Sequence, residues 1–181
     1  MQLYIARHGR TNYNDLGLCN SNRLIDVHLT KLGEEQAKAL GDKLKNEKFE
    51  QIYVSELRRT MQTAVFVNKY HHVPITVEAK LNDINTGYEG QHFTLYVNAL
   101  ERAGRNRLTA RFNFGESVND LNIRVSQFLN SVKTKGLDSV LIITSEVVIQ
   151  SIYQYFDPEV TSSHPKEIIQ GDFVELLLSS N

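Results

Sequence analysis

Apolar and polar positions follow two different periods along this chain. Short continuous apolar runs, typical of buried strands, occur at residues 3–6, 52–54 and 139–144. Between these runs, apolar residues recur at spacings of three and four, which predicts amphipathic helices. Strands and helices therefore alternate from the start of the chain, and this favours a mainly parallel sheet covered by helices.

The helical pattern is clearest in three segments. We predict a first helix from the N-cap Thr30 to about residue 46, and a second that is capped by Ser55 and ends near Asn68. Ser117 and Asp120 have the spacing of a capping box, which opens a third helix. The expected buried faces comprise Leu32, Ala37, Leu40 and Leu44; Leu57, Met61, Ala64 and Val65; and Val118, Leu121, Val125, Phe128, Leu129 and Val132.

The remaining segments are shorter or less regular. Residues 12–26 are rich in Asn, Asp, Ser and Gly, which predicts a long loop. The other expected elements are a strand at 74–77, an irregular segment at 81–90, a helix at 93–103, a helix at 147–156 and a strand at 173–178. Because no repeat or linker interrupts the pattern, we expect a single domain over residues 1–181.

Composition narrows the class of protein. With 181 residues, 41% of them hydrophobic, the chain can bury a continuous core. A net charge of -1 gives no general attraction to nucleic acid or to anionic membranes, so we expect neither as a partner. Cys19 is the single cysteine, which excludes an intramolecular disulfide. No apolar run is long enough to span a bilayer and the N-terminus lacks a signal-peptide pattern, so we expect a cytoplasmic protein.

Candidate chemistry begins where the first strand ends, at Arg7-His8-Gly9. Ligands collect at the carboxyl ends of strands in open α/β sheets. A guanidinium donates to anions, and a neutral imidazole can act as a nucleophile or a base. Arg59 lies near the start of the predicted second helix, where free N–H groups also attract anions. Taken alone, however, the tripeptide is better interpreted as a polar strand end, so its role depends on the rest of the chain.

Five segments, in order, resemble the histidine phosphatase superfamily, also called phosphoglycerate-mutase-like. They are Arg7-His8-Gly9-x-Thr11-x-x-Asn14, Leu29-Thr30-x-x-Gly33-x-x-Gln36-Ala37, Ser55-x-Leu57-x-Arg59-x-x-Gln62-Thr63-Ala64, Asp83 to Gly90, and Gly115-Glu116-Ser117. Order and spacing hold over about residues 1–156. The resemblance implies a three-layer αβα sandwich with a mostly parallel central sheet and a pocket at the C-terminal edge of that sheet.

The family transfers phosphoryl groups through a phosphohistidine, which the resemblance places on His8. It implies that Arg7, Arg59 and Asn14 bind phosphate and that Asp83 is the general acid. Glu is more usual at the acid position and Asp is one methylene shorter; Asp83 could instead simply cap its turn. The resemblance implies no cofactor and no metal, and the expected partner is phosphate or a phosphorylated small molecule. The oligomeric state is not indicated.

The last motif departs from the family pattern. The family has a second histidine in a His-Gly-Gly-like turn, and alignment of the flanking apolar residues puts Ser145, Glu146 and Val147 there. Ser145 can donate a hydrogen bond to phosphate but cannot carry a positive charge. Glu146 adds a carboxylate beside an anion site unless its side chain points away. Removing one such preorganised donor lowers the rate by about 10²–10³.

Two functions therefore remain open. The first is a phosphatase that hydrolyses a small phosphomonoester through His8, with weakened or specialised activity. The alternative is a catalytically inactive phospholigand-binding or regulatory module of the same fold, which Ser145-Glu146-Val147 favours. A phosphoglycerate mutase is the least expected, because such enzymes depend on the second histidine.

Arg10, Tyr88 and His92 are candidates for substrate specificity. Arg10 either makes the pocket more positive or pairs with a carboxylate such as Glu146, and His92 is expected near the pocket mouth. A basic segment follows, which either binds a second anionic group or is a solvated surface, and comprises Arg102, Arg105, Arg107 and Arg111. His164 is expected to face solvent.

Overall fold

The computed structural model describes residues 1–157 and 168–178, and His164 lies outside these ranges. The strands of its sheet are β1 (Gln2–Arg7), β2 (Gln51–Val54), β3 (Ile75–Val77), β4 (Ser139–Thr144) and β5 (Phe173–Leu177). Their order across the sheet is β3-β2-β4-β1-β5. The pairs among β1 to β4 are parallel, and β5 pairs antiparallel with β1. The predicted mostly parallel sheet is confirmed.

Helices cover both faces of the sheet. They are α1 (Asn12–Leu16), α2 (Lys31–Leu44), α3 (Arg58–Asn68), α4 (Phe93–Ala103), α5 (Val118–Lys133) and α6 (Glu146–Phe156), with 3-10 turns at Ala79–Leu81 and Gly104–Asn106. Apolar residues of α2 and α3 pack on one face, and those of α5 and α6 pack on the other, which gives the three predicted layers. Within the described ranges, no helix is both long and apolar enough to cross a bilayer.

Two of the three predicted helix caps are correct, and most residues predicted to be buried on α2 and α5 are buried. Thr30 and Ser117 accept hydrogen bonds from the first turns of α2 and α5, and Ser117 forms the full capping box with Asp120. Leu32 is wrong as a core residue, because it lies in the exposed first turn of α2 and is 50% accessible.

The start of α3 differs from the prediction. The helix begins at Arg58 rather than directly after Ser55, and no side chain caps it. Ser55 Oγ instead accepts from the backbone N–H of Leu57, which stabilises the bend between β2 and α3. The buried face of α3 also differs from the predicted one, because Thr63 and Val67 are buried while Val65 is exposed.

The predicted loop at 12–26 contains a short helix at its start. Thr11 caps α1 in a capping box with Asn14, and Gly17 ends it in the left-handed region at φ 65°. Polar residues and glycine at the start of this segment therefore cap a short helix, and the segment is not irregular throughout. The remainder, through Asp26, contains no further helix.

Strand register positions the residues that follow the sheet. Arg7 lies opposite Thr144 in the β1–β4 pair, and the backbone N–H of His8 donates to the Thr144 carbonyl at 3.1 Å. His8 and Ser145 therefore leave neighbouring strands side by side. Gly9 passes close to α2, since a Cβ there would lie 2.3 Å from the Gly33 carbonyl oxygen. The glycine thus permits contact with the helix backbone.

Candidate active site

A cavity of about 290 Å³ opens at the carboxyl edge of the sheet. The residue motifs at the ends of β1, β2 and β4 converge on it, as expected for an open α/β sheet. Six of the residues predicted from the sequence line it, namely Arg7, His8, Asn14, Arg59, Asp83 and Ser145. Arg10, Tyr88 and His92 do not line it.

His8 is held as a neutral imidazole with a defined tautomer. Nδ1 lies 2.8 Å from the Gly9 carbonyl oxygen, and Nε2 lies 3.0 Å from Nε of Arg59. A carbonyl only accepts and a guanidinium only donates, so Nδ1 carries the hydrogen and Nε2 presents its lone pair. His8 is 3% exposed, and burial followed by the charge of Arg59 lowers its pKa well below the ordinary value. The arrangement suits a nucleophile.

Arg59 is fixed by four contacts from its guanidinium. Nη1 donates to Asn20 Oδ1 at 2.6 Å and Nη2 donates to the Asn20 carbonyl at 3.1 Å. Nη2 also donates to Asp83 Oδ2 at 2.9 Å, while Nε reaches His8. Burial lowers the pKa of Arg59, and Asp83 acts in the opposite direction. The cation is therefore preorganised beside Nε2 of His8.

Asn20 is a residue that the sequence analysis missed. Its amide nitrogen donates to Glu89 Oε1 at 2.9 Å, and Glu89 Oε2 also accepts from Ser21. Glu89 thus anchors the loop that orients Arg59. Asn20 lies in an irregular stretch with no periodicity, so only its polar composition could have drawn attention to it.

Arg7 is paired with the carboxylate that replaces a small residue of the family motif. Nη1 lies 2.7 Å from Glu146 Oε2 and donates to the Ile168 carbonyl at 2.9 Å. Glu146 Oε2 accepts no aligned hydrogen bond from the described residues, so the contact with Arg7 is a charge pairing. Nε of Arg7 is buried and without a hydrogen-bond partner among those residues. Arg7 therefore keeps a donor for a ligand.

Ser145 lies at the N-cap of α6 but makes no capping bond with its side chain. Ser145 is 5% exposed, and its Oγ has no hydrogen-bond partner within residues 1–157 and 168–178. A buried hydroxyl without a partner is unfavourable by about 1–3 kcal/mol. Since Ser145 lines the cavity, a bound anion can supply the missing partner.

Asp83 contacts the site only through acceptor interactions. Oδ2 accepts from Arg59, and Oδ1 accepts from the backbone N–H of Ile84 at 2.9 Å. The carboxylate lines the cavity beside Arg59. Both of its oxygens therefore already accept hydrogen bonds.

Each of the three specificity candidates contacts a neighbour outside the cavity. Arg10 pairs with Asp15, so the carboxylate partner foreseen in one of its two interpretations is Asp15 and not Glu146. The Tyr88 ring packs against the rings of Tyr96 and Phe112. Nδ1 of His92 lies 2.8 Å from Thr94 Oγ1, and the side chain caps α4.

Two residues of the predicted basic segment also have local partners. Arg102 donates to the Asn98 carbonyl, and Arg111 pairs with Asp120 at 2.6 Å. Among the described residues, no group of three or more His, Cys, Asp or Glu side chains has the arrangement of a metal site.

The lowered pKa of His8 predicts a pH dependence of stability. Near and below pH 6.5 the unfolded imidazole binds a proton that the folded one does not, so the free energy of unfolding falls as the pH decreases through this range. His8→Asn should flatten that slope by up to about 1.4 kcal/mol per pH unit. Urea unfolding of both proteins across this range measures the difference, and identical slopes would contradict the assignment.

Comparison with known proteins finds relatives in sequence and solved structures of the same fold. Phosphoserine phosphatase 1 of Hydrogenobacter thermophilus is 26% identical over 153 residues, which covers 82% of this chain and 72% of that protein. Bacillus stearothermophilus YhfR superposes with a TM-score of 0.85 at 23% identity, over 98% of this chain and 91% of that one. The alpha-ribazole phosphatase from Shigella flexneri gives 0.82 at 23% identity, over 99% and 91%.

The family profile decides the assignment. The histidine phosphatase superfamily (branch 1) matches residues 3–172, which include every residue placed in the cavity. The chain belongs to the histidine phosphatase superfamily.

Proposed function

We propose that this protein hydrolyses a small phosphomonoester through a phosphohistidine on His8. The observation that carries the proposal is the tautomer of His8, because Gly9 and Arg59 together leave Nε2 unprotonated inside the cavity. A protein that only binds phosphate needs a donor at this position rather than a lone pair. Membership of a family whose relatives include phosphatases supports the same reaction.

The proposed reaction has two displacements. Nε2 gives up its hydrogen bond from Nε of Arg59 and its lone pair attacks phosphorus. The ester P–O bond breaks, and Asp83, which must enter this step as the carboxylic acid, gives its proton to the leaving oxygen. Water then attacks the phosphohistidine, Asp83 accepts a proton from it, and the P–N bond breaks to release inorganic phosphate. The Gly9 carbonyl accepts from Nδ1–H throughout and stabilises the charged imidazole.

The charges around the cavity limit this activity. Arg7 is paired with Glu146 and Arg59 with Asp83, so each of the two guanidinium groups that line the cavity already contacts a carboxylate. Ser145 adds a hydroxyl donor and no charge. An incoming dianionic phosphate must therefore compete with Glu146 for Arg7, which favours slow turnover and weak binding.

The uncharged donor at Ser145 disfavours turnover more than it disfavours binding, which favours a second candidate, a phospholigand-binding module without turnover. The two candidates separate in one experiment on the wild-type protein. Release of many equivalents of nitrophenol and phosphate from nitrophenyl phosphate supports hydrolysis. Calorimetric binding of phosphate without release supports the binding module, and absence of both contradicts each of them.

Glu146→Gln is expected to tighten phosphate binding about tenfold. Gln removes the negative charge but keeps the size of the side chain, which frees Arg7 for a charge-assisted hydrogen bond of about 1.5–3 kcal/mol. Titration calorimetry with inorganic phosphate measures the change. Glu116→Gln is the matched control, since Glu116 pairs with Arg124 outside the cavity of His8. An equal or weaker affinity in Glu146→Gln would show that Glu146 does not compete with phosphate.

A further inference from the structure

Beyond the phosphate-binding groups, much of the cavity wall is apolar. Tyr13 and Leu18 reach it from α1 and the residues after it, Ile84 from the segment after Asp83, Phe93 from the start of α4, and Val147 from α6. The backbone N–H of Phe93 donates to the Gly17 carbonyl at 2.8 Å, which fixes the start of α4 beside this wall. Phe93 is 41% exposed, so its ring can bury further surface against a bound ligand.

The cavity also lacks a cation for a second anionic group. Among the described residues that line it, Arg7 and Arg59 are the only lysine or arginine side chains, and both are assigned to the phosphoryl group. Arg10 and Arg58, the cations nearest to these two in sequence, are held by Asp15 and Asp26 respectively. Glu146, which also lines the cavity, would repel a carboxylate on the leaving group.

A neighbouring cavity of about 690 Å³ shares Asp83 and offers no alternative. Its lining includes Glu89, Glu116 and Asp120 in addition to Asp83. The two arginines on its wall are already paired, Arg111 with Asp120 at 2.6 Å and Arg124 with Glu116 at 2.7 Å. A leaving group that extended toward this side would also meet an excess of carboxylates.

We infer that the site takes phosphate monoesters with an uncharged apolar leaving group, such as aryl phosphates. It discriminates against leaving groups that carry a carboxylate or a second phosphate. The inference rests on the proposed function for the placement of the phosphoryl group at His8. Phe93 is then a specificity-determining residue, because its partly exposed ring covers an apolar leaving group. An ester whose leaving group carries a carboxylate gains no ion pair in the cavity. Binding also removes water from that carboxylate, which is unfavourable.

Two non-hydrolysable phosphonates test the inference without requiring turnover. Titration calorimetry of the wild type should give a dissociation constant about tenfold lower for benzylphosphonate than for phosphonopropionate. Phe93→Ala should reduce this preference about three- to tenfold. Leu95→Ala is the matched control, because Leu95 lies in the same turn of α4 and is 43% exposed but does not line the cavity.

The outcomes distinguish this inference from the proposed hydrolysis. Equal binding of the two phosphonates, a preference for phosphonopropionate, or no binding of either would overturn the inference. So would equal effects of Phe93→Ala and Leu95→Ala. Parallel assays with naphthyl phosphate and phosphoglycerate report on turnover. A preference for benzylphosphonate without any turnover supports the apolar site and overturns the proposed hydrolysis. Turnover of both esters with equal kcat/KM supports the hydrolysis and overturns the apolar preference.

Discussion

Replacing Ser145 with histidine is expected to raise the turnover of an aryl phosphate by about 10²–10³. Ser145 lies beside His8 through the register of β1 and β4, and its buried Oγ lacks a hydrogen-bond partner among the described residues. A protonated imidazole at this position adds a third charged donor for the transferring phosphoryl group, besides Arg7 and Arg59. The cavity borders Ser145, so the larger side chain can extend into it. Steady-state hydrolysis of nitrophenyl phosphate measures kcat and KM.

Ser145→Asn is the matched control for this prediction. Asparagine supplies a neutral donor of intermediate size, so its gain should be much smaller than that of histidine. The gain of Ser145→His should also disappear as the pH rises and the new imidazole loses its proton. Equal rates for the two variants would mean that positive charge is not what the wild-type site lacks.

His8→Asn is expected to reduce turnover to the uncatalysed background, in the wild type and in Ser145→His alike. The asparagine Oδ1 can still accept from Nε of Arg59, but an amide has no nucleophilic lone pair comparable with that of imidazole. Phosphate affinity should therefore change little while kcat is lost. The assay combines hydrolysis rates with phosphate titration by calorimetry.

A histidine outside the cavity serves as the control. His92→Asn alters an exposed cap of α4 and should leave the rate unchanged. If His8→Asn retains most of the wild-type rate, His8 is not the nucleophile. If it loses phosphate binding as well, the loss of rate reflects a damaged site, and the assignment then depends on detecting the phosphoryl group on His8.

Local burial explains which elements could be predicted from the sequence. The helix α5 has an apolar stripe from Leu121 to Val132, and the strand β4 has a continuous apolar run from Val140 to Ile143. Each pattern repeats over enough residues that only one secondary structure buries it. The short helix α1 buries no residue fully, so the periodic signal is absent and only its caps, Thr11 and Gly17, indicate it.

The site could be predicted in its members but not in its pairings. The motif at the end of β1 contains Arg7 and His8, and the motif at the start of α3 contains Arg59. Their positions in the family-like motifs are sufficient to bring all three to the carboxyl edge of the sheet. The pairing of Arg7 with Glu146 joins residues far apart in the chain. For Arg10, the sequence leaves open whether it makes the pocket more positive or pairs with a carboxylate. Which carboxylate meets which guanidinium depends on side-chain geometry after folding, and periodicity carries no information about it.

The most direct test of the account is detection of the phosphoryl group on His8. Wild-type protein and Ser145→His are mixed with nitrophenyl phosphate, quenched in base during turnover, digested and analysed by mass spectrometry. We expect an acid-labile phosphoryl adduct on the peptide that contains His8, and its absence from His8→Asn. Sustained turnover with no such adduct, or an adduct on another residue, would contradict a phosphohistidine at His8.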